Sequence, residues 1–323
     1  MMKKHILFLL FSVLINTLYS QIVINEYSAA NYESHLDNYG EYEDWIELYN
    51  TTSTDIDLNG WFLSDKTSNT NKWQFMSSYI ISANSVAIIY CSGNDEVLGG
   101  FAHTNFKITQ TTGNEVFILS DPSSIIIDSI TVIPNLKSHS RGRDVNGGSS
   151  WSVFTSPTPN MNNNGAMLDY APAPVFSQSP GYYSGPLSLT ITSSDPNAII
   201  YYTTDGFVPS SNSNLYSGPI NITSTSVVKA IAYSTNSNVP NSFIEYNTYF
   251  INETHTIPIL SVSGDSVAVL IEDGVRTLGG WNGPAHEPQG TIEWFDKNGG
   301  IIDKGSGEFN KHGNDSWAYD QRG

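Results

Sequence analysis

At the usual roughly 100–200 residues per domain, a chain of 323 residues has room for two or three domains. Its formal charge of −17 repels phosphate backbones and argues against nucleic acid as a partner; acidity here reads as a solubility device. With 26 glycines, 15 prolines and one cysteine, the composition favours turn-rich β-structure and excludes a small module stapled by internal disulfides.

From the N-terminus, Lys3 and Lys4 precede the apolar run Ile6 to Leu14, and Leu18-Tyr19-Ser20 ends on a small residue. This is the layout of a secretory signal over residues 1–20, with the mature chain starting at Gln21. Losing Lys3 and Lys4 with the signal takes the charge to −19. The apolar run is too short for a spanning helix, and no other stretch reaches the roughly 20 apolar residues needed. The expectation is a secreted or cell-surface protein without a transmembrane helix in its mature form.

Ile22-Val23-Ile24-Asn25-Glu26-Tyr27 reads as the first strand and Glu43-Asp44-Trp45-Ile46-Glu47-Leu48-Tyr49-Asn50 as the second, closed by the turn residues Thr51-Thr52-Ser53. Alternation in the second strand sends Ile46, Leu48 and Asn50 to one face and Trp45, Glu47 and Tyr49 to the other. Both faces are partly apolar, as a strand within a sandwich requires. Leu58-Asn59-Gly60-Trp61-Phe62-Leu63-Ser64-Asp65 and Lys72-Trp73-Gln74-Phe75 come next. Later come Phe106-Lys107-Ile108, the run Gly113 to Asp121, Ile127-Asp128-Ser129 and Pro157-Thr158-Pro159-Asn160.

In this order the segments resemble a lamin tail domain over residues 21–165. The resemblance implies an immunoglobulin-like β-sandwich and no catalysis. Within it, Glu33, Asp37, Glu41, Glu43 and Asp44 offer carboxylate oxygens to a calcium ion but lack the EF-hand spacing, which favours a solvated loop. Cys91 sits in the apolar run Ile88-Ile89-Tyr90-Cys91-Ser92 with no histidine beside it, the setting of a packed core thiol.

A polar stretch runs through Arg141-Gly142-Arg143 to a strand around Trp151-Ser152-Val153-Phe154. The composition then shifts: residues 157–165 form a connector of low hydrophobicity, and residues 166–174, with Ala171-Pro172-Ala173-Pro174, are a stiff linker.

Over residues 175–252, strand patterns alternate with turns at the spacing of an all-β sandwich: Leu187 to Ile191, Ile199 to Thr203 and Val227 to Ala232. At Asp205-Gly206 the glycine can take positive φ and the aspartate can cap the turn. This block, with Tyr202-Thr203-Thr204-Asp205-Gly206 and Leu215-Tyr216-Ser217-Gly218-Pro219, resembles the C-terminal domain of chitobiase and β-hexosaminidase, also described as fibronectin-type-III-associated. That resemblance implies an accessory sandwich found beside glycan-acting enzymes. Tyr201, Tyr202, Tyr216 and Tyr233 are its candidate sugar-stacking residues, weighed against core or edge packing, which is the favoured reading.

Residues 257–323 open with Ile257-Pro258-Ile259-Leu260-Ser261-Val262-Ser263, continue to Thr291-Ile292-Glu293-Trp294-Phe295-Asp296 and the turn Lys297-Asn298-Gly299-Gly300, and end after His312-Gly313-Asn314-Asp315-Ser316 and Gln321-Arg322. Here the chain resembles the opening of a CotH-type spore-coat kinase domain, an α+β fold, cut short. Only by that resemblance are His312, Gly313, Ser316 and Arg322 phosphate-binding candidates. Arg322 departs from the lysine the family places there, and a planar guanidinium does not replace an ammonium at a tight phosphate site without cost. Gly313-Asn314-Asp315-Ser316 could cradle phosphate through its backbone amides or form a hairpin turn, and on this chain alone the turn is the favoured reading.

Phosphoryl transfer draws a metal clamp and a base from two lobes, so no catalytic residue, cofactor or phosphotransferase activity is expected of this chain; ATP and Mg²⁺ would belong to a longer product. The seven histidines show no pair at ligand spacing, so no zinc site is expected. The expected fold is all-β: tandem immunoglobulin-like sandwiches followed by an incomplete α+β segment. The expected function is the N-terminal part of an exported CotH-kinase-family protein, whose sandwiches are spacer or targeting modules. The alternative is a non-catalytic adhesion or glycan-binding surface protein with an extracellular protein or polysaccharide as partner.

Overall fold

The computed structural model describes residues 20–109, 115–267 and 288–309. The chain divides after Ala166 into two compact units, and among the described residues both are built from β-strands.

The first unit contains β1 (Ile22–Ser28), β2 (Trp45–Asn50), β3 (Ile56–Asp57), β4 (Phe62–Ser64), β5 (Trp73–Gln74), β6 (Ile80–Ile81), β7 (Val86–Tyr90), β8 (Glu96–Leu98), β9 (Phe101–His103), β10 (Val116–Ser120), β11 (Ile126–Thr131), β12 (Ser140–Arg143) and β13 (Trp151–Phe154). One sheet runs β13-β12-β1-β2-β7-β9-β8 and a second β11-β10-β4-β5, with β3 and β6 paired separately. Ile22, Ile24, Tyr27, Ile46, Leu48 and Ile89 of the larger sheet join Leu63, Trp73, Phe117 and Leu119 of the smaller in one core, which also takes in Cys91. Trp45 lies on the opposite face of β2, clustered with Ile88 and Tyr90. The two-faced alternation expected of β2 is therefore what folds.

Two features of this unit differ from what composition suggests. Arg141-Gly142-Arg143, polar as a string, is a strand inside the larger sheet, and its arginines are tied down. Arg143 Nε donates to the carbonyl of Ile24 at 2.8 Å and Nη2 contacts Asp128 at 2.9 Å. The pairing of β1 with β2 also shifts register between Ile24 and Glu26, an irregularity that leaves Asn25 as an extra residue. Strict alternation from Ile22 and Ile24 would send Glu26 into the core. The bulge gives that place to Tyr27 and sets Glu26 opposite Glu47 instead.

The second unit contains β14 (Val175–Phe176), β15 (Gly181–Tyr183), β16 (Leu187–Leu189), β17 (Ile191–Thr192), β18 (Ile199–Thr203), β19 (Asn214–Leu215), β20 (Ile220–Ile222), β21 (Ser226–Tyr233), β22 (Glu245–Ile251), β23 (Ile259–Ser263), β24 (Gln289–Phe295) and β25 (Ile301–Glu308). A five-stranded sheet, β15-β22-β21-β18-β19, is accompanied by the pairs β14-β17 and β16-β20 and by the three-stranded sheet β23-β24-β25. Leu187, Leu189, Ile222, Val228, Tyr249 and Ile251 form one part of its core, and Ile191, Ile200, Ala230 and Ala232 another. Gly206 has φ +79° and the Phe207 amide donates to Asp205 Oδ1 at 3.1 Å, the capped turn the dipeptide predicts.

Within residues 257–323 the described strands β23, β24 and β25 form one antiparallel sheet, and no α+β segment is shown among the described residues. This sheet packs on β22: Phe295 meets Phe250 edge-on at 5.2 Å, and buried Glu293 accepts hydrogen bonds from the Thr248 amide and hydroxyl. Burial raises the Glu293 carboxyl above the usual carboxylate range.

Candidate functional site

The bulge in β1 creates the most unusual chemistry of the first unit: two fully buried carboxyl groups directly opposite each other on neighbouring strands. Glu26 Oε1 accepts from the Thr158 amide at 3.0 Å and from the Ser140 hydroxyl, while Oε2 accepts from the Thr158 hydroxyl at 2.6 Å. Glu47 Oε1 accepts from Asn25 Nδ2 at 2.9 Å, and Oε2 from the Asn160 amide at 2.8 Å. Asn25 Nδ2 also reaches Asn163 Oδ1 at 2.9 Å, and Asn163 Nδ2 closes the network on the carbonyl of Arg143 at 2.5 Å. The connector of low hydrophobicity is thus strapped onto the sandwich through Thr158, Asn160 and Asn163.

Burial pushes the Glu47 carboxyl from the usual 4.5 up to about 8, with the charge of Glu26 adding to the rise and the bonds from Asn25 and Asn160 opposing it. Glu26 is raised as well, again by burial first. Folded Glu47 keeps a proton that the unfolded chain releases above 4.5, so its contribution to stability is complete below that pH and is lost as the pH rises through about 8. Asp44, raised to about 6, and Glu115, raised to about 7, act with the same sign. Burial lowers His35, His103 and His139, which act with the opposite sign below about pH 6.5, so the urea midpoint of the first unit should fall from about pH 7 to pH 9, and Glu47→Gln should flatten part of that fall. A Glu47→Gln profile parallel to that of the parent protein would remove Glu47 from the account.

Beside this clamp, five rings line up on the outer face. His35 stacks on Tyr90 with centroids 6.0 Å apart and planes 5° apart, Tyr90 stacks on His103 at 5.0 Å, Tyr39 meets His103 at 5.4 Å, and His35 meets Trp45 edge-on at 6.5 Å. His103 bridges Ser92 Oγ at 2.9 Å and Asn38 Oδ1 at 2.7 Å. Burial lowers both imidazoles below the usual histidine range, which keeps them neutral near pH 7.

The acids of the calcium candidate are spread over separate loop contacts. Asp37 Oδ1 accepts the amides of Tyr39 at 2.8 Å and Glu41 at 2.9 Å, Asp44 Oδ1 accepts the Asn31 amide at 3.0 Å, and Glu43 pairs with Lys107 at 3.1 Å. Glu33 and Glu41 are exposed. These acids organise loop turns, and among the described residues no group of three or more His, Cys, Asp or Glu side chains is placed to hold a metal. Tyr201 meets Tyr233 edge-on at 5.7 Å and Tyr202 meets Tyr216 at 6.3 Å. Tyr202 and Tyr216 pack against the core, and the Tyr216 hydroxyl accepts the Ile191 amide at 3.0 Å. His312, Gly313, Ser316 and Arg322 lie outside the described residues. Sequence reasoning misses Glu26 and Glu47, although an acid sharing a strand face with Trp45 is the kind of mismatch that marks a buried polar site.

The described architecture is that of a modular β-sandwich protein. More particularly, residues 16–134 match the family model of the Lamin Tail Domain, and residues 178–244 match that of the Chitobiase/beta-hexosaminidase C-terminal domain. No curated protein matches the chain. Among the described residues no helix is long and apolar enough to cross a membrane.

Proposed function

We propose that this chain is an exported, modular surface protein whose two sandwiches serve as spacer or targeting modules, and that it is the N-terminal part of a CotH-kinase-family protein. The observation that carries the modular reading is the strap: Thr158, Asn160 and Asn163 are bound to buried groups of β1 and β2, which gives the first sandwich a fixed exit for its chain. The kinase-family part of the reading rests on the residues from Ile257 onward. Ile259–Ser263 and Gln289–Phe295 pair antiparallel, and the turn after them is closed by Asp296 Oδ1, which accepts the amides of Asn298 at 2.7 Å and Gly300 at 2.9 Å. On this reading ATP and Mg²⁺ act in the longer product.

Export is tested by mass spectrometry of the protein recovered outside the producing cell. The expected N-terminus is at or near Gln21, and an exported pool that keeps Met1 would sink the signal.

A further inference from the structure

The turn between β18 and β19 holds a second, unassigned site. Thr204, Asp205, Phe207, Asn212, Asn214 and Asp265 line a cleft of about 420 Å³, within the roughly 300–1,000 Å³ of small-molecule sites. The backbone that presents them is fixed. Gly206 sits at positive φ with its α-carbon against Ser263, where an added Cβ would meet the serine Cβ at 2.9 Å. The Thr203 hydroxyl holds the carbonyl of Phe207 at 2.7 Å, and the Val208 amide donates to Asp265 Oδ1 at 2.6 Å.

Each carboxylate is held by one oxygen, Asp205 by the Phe207 amide and Asp265 by the Val208 amide. Their Oδ2 atoms, and the side-chain amides of Asn212 and Asn214, make no hydrogen bond to any described residue. Phe207 leaves half of its surface in solvent, at 50 % exposure, and so offers an aromatic ring at the edge of the cleft. Behind the cleft lies Lys229, 1 % exposed, whose Nζ donates to the Ser263 carbonyl at 3.3 Å and which feels the charges of both aspartates.

We propose that this cleft binds a neutral pyranose unit of a polysaccharide. A pyranose offers an apolar C–H face to an aromatic ring and a girdle of hydroxyl groups. The free carboxylate oxygens accept from hydroxyls, and the carboxamides of Asn212 and Asn214 both donate and accept. Two carboxylates over one buried ammonium leave the cleft negative, which disfavours uronic acids and phosphates. Two carboxylates are also too few for a closed divalent-cation site, in keeping with the absence of a metal-holding group among the described residues. The inference requires neither export nor membership of a kinase family.

The test is isothermal titration of the full chain with cellohexaose, xylohexaose, mannohexaose and maltohexaose, and with Ca²⁺ alone. At least one hexasaccharide should bind in the millimolar range or tighter, and Phe207→Ala should weaken it about tenfold or more. Asn212→Ala, at an exposed position that the fold does not use, should weaken it as well, whereas Tyr233→Ala should not. Thermal midpoints of the three variants establish that each is folded. No heat with any hexasaccharide, Ca²⁺ binding in their place, or affinity unchanged in both Phe207→Ala and Asn212→Ala overturns the assignment.

Discussion

Trp45→Ala should lower the stability of the first unit by about 3–5 kcal/mol, the range for truncating a large buried aromatic. The ring is wholly buried, packs with Ile88 and Tyr90 on the outer face of β2, and has the His35 ring edge-on to it. Its Nε1 has no hydrogen-bond partner among the described residues, so the substitution removes packing and leaves a cavity but breaks no polar contact. Trp45→Phe should recover a large part of the loss for the same reason. The measurement is the urea midpoint of residues 21–166 expressed alone, which should unfold in one cooperative transition. A midpoint unmoved by Trp45→Ala would mean that the outer cluster contributes nothing to stability.

Glu26→Ala should be comparably severe, by a different mechanism. Three donors converge on this carboxyl group: the Ser140 hydroxyl, and the amide and hydroxyl of Thr158. A buried donor without its acceptor costs about 1–3 kcal/mol. Ser140 is held in a strand and cannot escape that penalty, whereas Thr158 can reach water if the strap lifts. The expected result is a loss of about 3 kcal/mol, together with faster hydrogen exchange at the amides of Thr158 and Asn160. Glu26→Gln, which keeps an acceptor, should lose less and keep more of the protection. Unchanged exchange at Thr158 in Glu26→Ala would show that the carboxyl does not hold the strap.

These two residues also mark how far the fold is legible in the sequence. The faces of β2 follow from alternation alone, and Trp45, Ile46 and Leu48 stand where a period of two places them. The turn at Asp205-Gly206 is legible because its geometry is set by adjacent residues. The bulge at Asn25 is not, since one inserted residue leaves no mark in composition, yet it decides that Glu26 faces Glu47 and not the core. The clamp is hidden for a related reason: Asn25 and Asn163 are 138 residues apart, and Glu26 and Thr158 are 132 apart. Thr158 and Asn160 look like loop filler until the acceptors they satisfy are known. The same limit applies to the cleft in the second unit, where Asp265 meets the Val208 amide across 57 residues of chain.

The burial of Cys91 gives the molecule a clock. The thiol is 1 % exposed, and its pKa is held well above the usual thiol range by burial. Since the thiolate is the reacting species and no reagent reaches it in the closed core, alkylation proceeds only through openings of the sheet that bring the sulfur to solvent. As this is the single cysteine of the chain, the rate at which an alkylating agent marks the intact protein counts those openings one at a time, from one known position in the core.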